Sequence, residues 1–213
     1  MLTLGVLISG RGSNLQAILA AIADGRLTAR VGVVISNRAD APGLAHAAAA
    51  GVPVEVISHR GWPSREQYDQ RLVEVLRAHH VSLACLAGFM RLLTPVLIDA
   101  FPSRILNVHP SLLPAFPGVD AVGQALDHGV RVAGCTVHLV TPALDAGPIV
   151  LQACVPVAHD DTVETLSARI LREEHRLYPE AIRLVGEGHG RVEGRRWIRT
   201  ARAEQHSGAD DRG

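Results

Sequence analysis

The stretch LTLGVLISGRGSNLQAILAAIADG, residues 2–25, decides the fold. Its first eight residues are apolar on both strand faces, which suits a strand covered on both sides of a parallel sheet. Then come two glycines one residue apart, Gly10 and Gly12, and a helical pattern. Leu15, Ile18, Leu19 and Ile22 share one helix face, and Gly25 suits the helix end. Strand, glycine turn and helix together predict the first unit of an α/β sheet.

The pattern repeats. ARVGVVIS (29–36), VPVEVIS (52–58), LACLAGF (83–89) and RILNV (104–108) read as further strands. Between them lie an Ala-rich helix over 42–51, a longer helix opened by Ser64, and a short helix after Pro95. On the longer one, Tyr68, Leu72, Val75 and Leu76 share a face. The predicted class is α/β, an open, mostly parallel twisted sheet with helices on both faces. Ligands in such sheets bind beyond the carboxyl ends of the strands, which puts the glycine turn, AGFMRLL and NVHPS on one rim.

After Gly118 the rhythm changes. AVGQALDHG reads as a helix. CTVHLVT and PIVLQACVPV read as strands whose link, PALDAG, is too short for a crossover helix, so an antiparallel hairpin is expected in the C-terminal part. Thr162 caps a long helix that buries Leu166, Ile170, Leu171 and Leu177. One domain over 1–203 is expected, with 204–213 a disordered tail.

Composition narrows the function. A 47% hydrophobic, 20% charged chain of 213 residues is globular. Zero formal net charge and 3% aromatics argue against a nucleic-acid binder. No apolar run reaches membrane-spanning length, and the N-terminus reads as a strand without the features of a signal peptide. Cys85, Cys135 and Cys154 form no C-x-x-C and are expected as reduced core or near-core thiols in a cytoplasmic protein.

SGRGSN, residues 9–14, suits a phosphate: the first amides of the helix face outward with the positive end of its dipole. Ser13 and Asn14 add hydrogen-bonding side chains, and Arg11 adds charge. A dinucleotide fingerprint would need a third glycine that Leu15 does not supply, although Arg38 would suit a 2′-phosphate. A purely structural turn is the alternative.

Asn107 and His109 project to one side of a strand end, with Val108 turned away. Pro110, Pro114 and Pro117 stiffen the exit. Asp145, in the LDAGP loop, would hold the imidazole and favour its charged form if that loop folds back to the rim. The alternative is a satisfied core histidine beside a turn-capping asparagine. His138 is expected in the core or behind the site, near His109. His79 and His80 read as a solvated helix end, no metal-ligand spacing appears among the 11 histidines, and Ser111 lacks a nucleophile elbow.

LISGRGSNLQAIL, LAGFMRLLTP, ILNVHPSLLPAFPG, CTVHLVTPALDAGPIVLQ and REEHRLYPEAI resemble, in order, the motifs of the folate-dependent formyltransferases. N-x-H-P-S-L-L-P marks that group. The G-x-G-S-N turn and the short length point to its glycinamide ribonucleotide formyltransferases. The resemblance implies a Rossmann-like fold and formyl transfer from 10-formyltetrahydrofolate, a co-substrate, to the amine of glycinamide ribonucleotide in purine synthesis. It implies Asn107, His109 and Asp145 as catalytic residues, and Gly12, Ser13, Asn14 and Glu174 as ribonucleotide contacts. Arg65, Met90, Arg91, Leu92, Leu93, Asn107, Val140 and Asp145 fall on the folate side. The implied partners are these small molecules, with no metal, nucleic acid or membrane, and a monomer or homodimer. Two positions depart from the pattern: Arg11, where other polar residues are common, and Asp120 in VDAV, where a histidine often follows.

Three rivals remain. A methionyl-tRNA formyltransferase would want a further C-terminal domain and a basic surface. A formyltetrahydrofolate hydrolase would carry an N-terminal regulatory domain, whereas here the sheet is expected from residue 2. A nucleotide-binding module without activity would leave Asn107, His109 and Asp145 unexplained.

Overall fold

A computed structural model describes residues 1–200. The tail expected from Glu204 lies outside the described residues. The elements in chain order are β1 (Leu2–Ile8), α1 (Ser13–Ala23), β2 (Ala29–Ser36), α2 (Gly43–Ala49), β3 (Val54–Val56), α3 (Arg65–Ala78), β4 (Leu83–Leu86), α4 (Pro95–Ala100), β5 (Ile105–His109), α5 (Ala121–Asp127), β6 (Val132–Leu139), β7 (Ile149–Pro156), α6 (Val163–Gly186), β8 (Gly190–Glu193) and β9 (Arg196–Arg199). The strands form one sheet in the order β3-β2-β1-β4-β5-β6-β7-β9-β8. From β3 to β5 every pairing is parallel. The expected hairpin is β6–β7, and β6 also runs antiparallel to β5.

Strand periodicity divides the core in two. Leu4, Val6, Ile8, Leu83, Cys85, Leu106 and Val108 pack with α1 and α6 on one face. Leu7, Ala84, Leu86 and Ile105 pack with α3 and α4 on the other. Leu15 and Ile18 of α1 are fully buried, worth about 2 kcal/mol each. The same alternation puts Asn107 and His109 on the α3/α4 side of β5, opposite Leu106 and Val108. Val137 and Leu139 face α6, so Thr136 and His138 lie on the side of Asn107 and His109.

Two helix caps follow the sequence reading. The Ser64 side chain accepts from the Gln67 amide, and Thr162 forms a reciprocal capping box with Thr165. Tyr178, fully buried on α6, places its hydroxyl 3.0 Å from the carbonyls of both Leu86 and Leu106. That pins α6 across β4 and β5 beside the site.

Three expectations need correction. Cys154 is exposed, unlike the buried Cys85 and Cys135, because alternate residues of β7 lie open on one face. The strand expected over 52–58 shrinks to three residues at the sheet edge, and Val54 and Val56 are exposed. Leu171 is only half-buried on α6. The β8–β9 hairpin, which turns at Gly194 with φ 60°, has no counterpart in the sequence reading.

Candidate active site

The Asn107, His109 and Asp145 side chains meet at the end of β5 and line a cavity of about 700 Å³. Asp145 Oδ2 lies 3.5 Å from His109 Nδ1, and Asp145 Oδ1 lies 3.6 Å from His138 Nε2. The His109, His138 and Asp145 side chains are 7%, 3% and 9% exposed, whereas Asn107 is half-buried. The loop after β6 therefore folds back to the rim, with Asp145 in the left-handed region at φ 46°, a conformation Asp tolerates better than most residues. The Gly118 amide donates to Asp145 Oδ2 at 2.8 Å. Burial pushes the Asp145 carboxyl up. Against it stand the Gly118 amide and the charge of His109, and its pKa falls below the ordinary 3.8.

His109 Nε2 donates to the Phe116 carbonyl at 2.9 Å. Both ring nitrogens thus face acceptors, a carbonyl and a carboxylate, and only the doubly protonated ring offers a proton to each. Phe116 is itself left-handed, at φ 52°. His138 is bound differently. Its Nδ1 donates to the Leu139 carbonyl at 3.0 Å. In the neutral ring Nε2 is then an acceptor, and the Asn107 Nδ2–H donates to it at 3.2 Å. The bond fixes the plane of the Asn107 amide. His138 lies on the strand next to His109, as expected, and shares Asp145 with it, but its register partner is Asn107, and Thr136 stands opposite His109.

The Ser111–Gly118 exit is held by side chains. Ser111 Oγ donates to the Ala115 carbonyl, and Thr136 Oγ1 donates to the Ser111 carbonyl. Thr136 Oγ1 also accepts from the Leu113 amide and from Gln152.

Met90, Arg91, Leu92, Leu93 and Val140 line the same cavity. Met90 and Leu92 are exposed, whereas Leu93 is buried. Arg65 does not line it; its Nη2 donates to the Leu92 carbonyl at 2.7 Å. Asp120, left-handed at φ 54°, precedes α5 and also borders the cavity.

Gly12, Ser13, Asn14 and Glu174 lie outside that cavity and form a second group. Asn14 Nδ2 donates to Glu174 Oε2 at 2.7 Å, tying the start of α1 to α6. Asn14 Oδ1 is buried with no partner among the described residues. Burial pushes the Glu174 carboxyl up, and the Asn14 bond only partly offsets it. Gly12 is left-handed at φ 72°, and an added Cβ would meet the Gly43 backbone at 2.6 Å. The Gly43 amide donates to the Gly10 carbonyl at 3.0 Å. Gly12 thus serves close packing of the turn on α2, whereas the space beside Gly10 is open. Arg38, the candidate for a 2′-phosphate, pairs with exposed Asp40.

Residue pattern did not point to the Gly118 amide and Phe116 carbonyl, because backbone groups carry no residue-type signal. Among the described residues no group of three His, Cys, Asp or Glu side chains is arranged to hold a metal ion.

Comparison with known proteins supplies the family. The family model described as "Formyl transferase" matches residues 3–182. Phosphoribosylglycinamide formyltransferase of Escherichia coli (strain K12) is 43% identical over 183 residues, covering 86% of this chain and 86% of that protein. The Bacillus subtilis (strain 168) protein of that name is 40% identical, covering 84% and 91%. The trifunctional purine biosynthetic protein adenosine-3 of Bos taurus is 46% identical over 187 residues, and the match covers 88% of this chain but only 18% of the bovine protein. Glycinamide ribonucleotide transformylase 1 from Symbiobacterium toebii superimposes with a TM-score of 0.92 at 59% identity, covering 93% of this chain and 94% of that one. A family match over most of its length, and a fold that superimposes on solved relatives, make this chain a member of the formyl transferase family.

Proposed function

We propose that this chain transfers the formyl group of 10-formyltetrahydrofolate to the amine of glycinamide ribonucleotide, a step of purine biosynthesis. The observation that carries this reading is the convergence of Asn107, His109 and Asp145 at one end of the 700 Å³ cavity. The substrate amine attacks the formyl carbon, and negative charge develops on the formyl oxygen. Asn107 donates its free amide N–H to that oxygen. His109, with Asp145 on its other ring nitrogen, donates the proton it now gives to Phe116, so the formyl oxygen competes with that carbonyl for one donor. The carbon–N10 bond then breaks, and the proton lost by the amine ends on N10. One such donor is typically worth about 3–4 kcal/mol to the transition state.

The phosphate of the ribonucleotide lies at the amides of Gly12, Ser13 and Asn14, with the positive end of α1 behind them. Glu174 takes the ribose hydroxyls. The Met90–Leu93 segment and the Val140–Asp145 loop take the folate, with Arg65 holding that segment from behind. Among the described residues no helix is long and apolar enough to cross a membrane; a cytoplasmic location is part of this reading.

Incubating the purified chain with both substrates and following folate absorbance tests the assignment. Stoichiometric tetrahydrofolate and formylated ribonucleotide are expected. Turnover with water or a charged tRNA in place of the ribonucleotide would reassign the acceptor.

A further inference from the structure

The segment from Gly88 to Thr94 is irregular, yet it forms one wall of the cavity. Past Gly88 its described backbone hydrogen bonds to other backbone are few; the Arg91 amide reaches only back to Phe89. Side chains hold it instead. Ser9 Oγ accepts from the Met90 amide at 2.9 Å. Arg65 donates to the Leu92 carbonyl at 2.7 Å. Asp69, one helical turn after Arg65 on α3, accepts from the Thr94 amide at 2.6 Å and the Thr94 hydroxyl at 2.8 Å.

Asp69 is an unusual residue for its place. It lies on the apolar face of α3 between Tyr68 and Leu72 and is only 2% exposed. Burial pushes its carboxyl up, and the two Thr94 bonds offset this only in part. The acid is therefore kept at a cost to the fold, where an apolar residue would pack without one. Thr94 gives something up as well. It stands at the N-cap of α4, but its hydroxyl makes no capping bond there and goes to Asp69.

We propose that Asp69 is a positioning residue for the folate side of the site: with Arg65 it clamps the Met90–Leu93 wall to α3, and so sets affinity for the folate co-substrate while leaving the ribonucleotide site alone. The proposal rests on the function proposed above. Its geometry is selective, because the clamp reaches the Gly88–Thr94 wall, whereas the ribonucleotide group around Asn14 and Glu174 is held by α1 and α6.

Both Thr94 bonds end on one oxygen, Oδ2, so an amide oxygen in that place can accept both. Three variants of the full chain make the test, each read by the KM of both substrates and by direct titration with 10-formyltetrahydrofolate. Asp69→Ala is expected to raise folate KM and Kd at least about tenfold, the loss of a buried hydrogen-bonded anchor, with ribonucleotide KM unchanged. Asp69→Asn is expected to restore most of that affinity. Thr94→Val keeps the amide bond and loses the hydroxyl bond, so a smaller rise of about threefold is expected; it carries the test if Asp69→Ala does not fold. Unchanged folate affinity in Asp69→Ala or Thr94→Val, or equal changes for both substrates, would overturn the clamp. If the unsubstituted chain fails to bind the folate at all, the underlying function falls and the clamp with it, a result distinct from selective failure of the variants.

Discussion

His138 stands directly across the antiparallel ladder from Asn107, and its Nε2 accepts the Asn107 amide N–H at 3.2 Å. The amide that would meet the formyl oxygen is thus aimed by a histidine on the next strand. Replacing His138 with Leu fills the space but removes the acceptor. The expected result is a fall in kcat of about tenfold, or roughly 1.4 kcal/mol, with both KM values little changed. Steady-state kinetics checks it; an unaltered kcat would show that Asn107 holds its orientation without help.

Acid should expose the environment of Asp145. Its folded-state pKa lies below the ordinary 3.8. The stabilisation from its ionised form is therefore fully present above pH 3.8 and lost as pH falls through the folded value. Asp145→Asn removes that contribution at every pH. Denaturant melts should show wild type ahead of the variant at pH 6, with the gap narrowing below about pH 4.

Glu174 should behave in the opposite sense. Burial raises its pKa above the ordinary 4.5. Its neutral form is the better tolerated one, so the associated stability is present below pH 4.5 and lost as pH rises through the folded value. Glu174→Gln keeps an acceptor for Asn14 and escapes that loss. Its unfolding temperature relative to wild type should climb between pH 4.5 and 8, while its KM for the ribonucleotide rises. A constant difference across that range would contradict the assignment.

Gly12→Ala is expected to destabilise the fold by about 1–3 kcal/mol, before any ligand is considered. Its left-handed backbone disfavours a side chain, and the new Cβ would meet Gly43 of α2 at 2.6 Å. Gly10→Ala meets nothing within 4 Å and should be close to neutral. Thermal melts of the two variants give the comparison directly.

What was legible in the sequence follows from where the physics is local. Period-two spacing was enough to put Asn107 and His109 on one side of β5, and apolar runs broken by helices were enough for the parallel sheet. The return of Asp145 was readable only as a condition, because it depends on how a six-residue link folds. The pairing of His138 with Asn107 depends on strand register, which side-chain alternation alone does not set. Asp69 carries a local signal, a carboxylate on the apolar stripe of α3, but its partner Thr94 is 25 positions away. The strands β8 and β9 are four residues each, too short to show a period.

Whether His109 and Asp145 act as one device is best measured by a double-mutant cycle on kcat, using His109→Ala, Asp145→Asn and the pair, with ribonucleotide Kd followed in parallel. If the carboxylate works through the imidazole, each single change lowers kcat by at least about 100-fold and the pair falls little further than His109→Ala alone. Losses that multiply, or a Kd that collapses along with kcat, would mean that the two side chains serve separate ends.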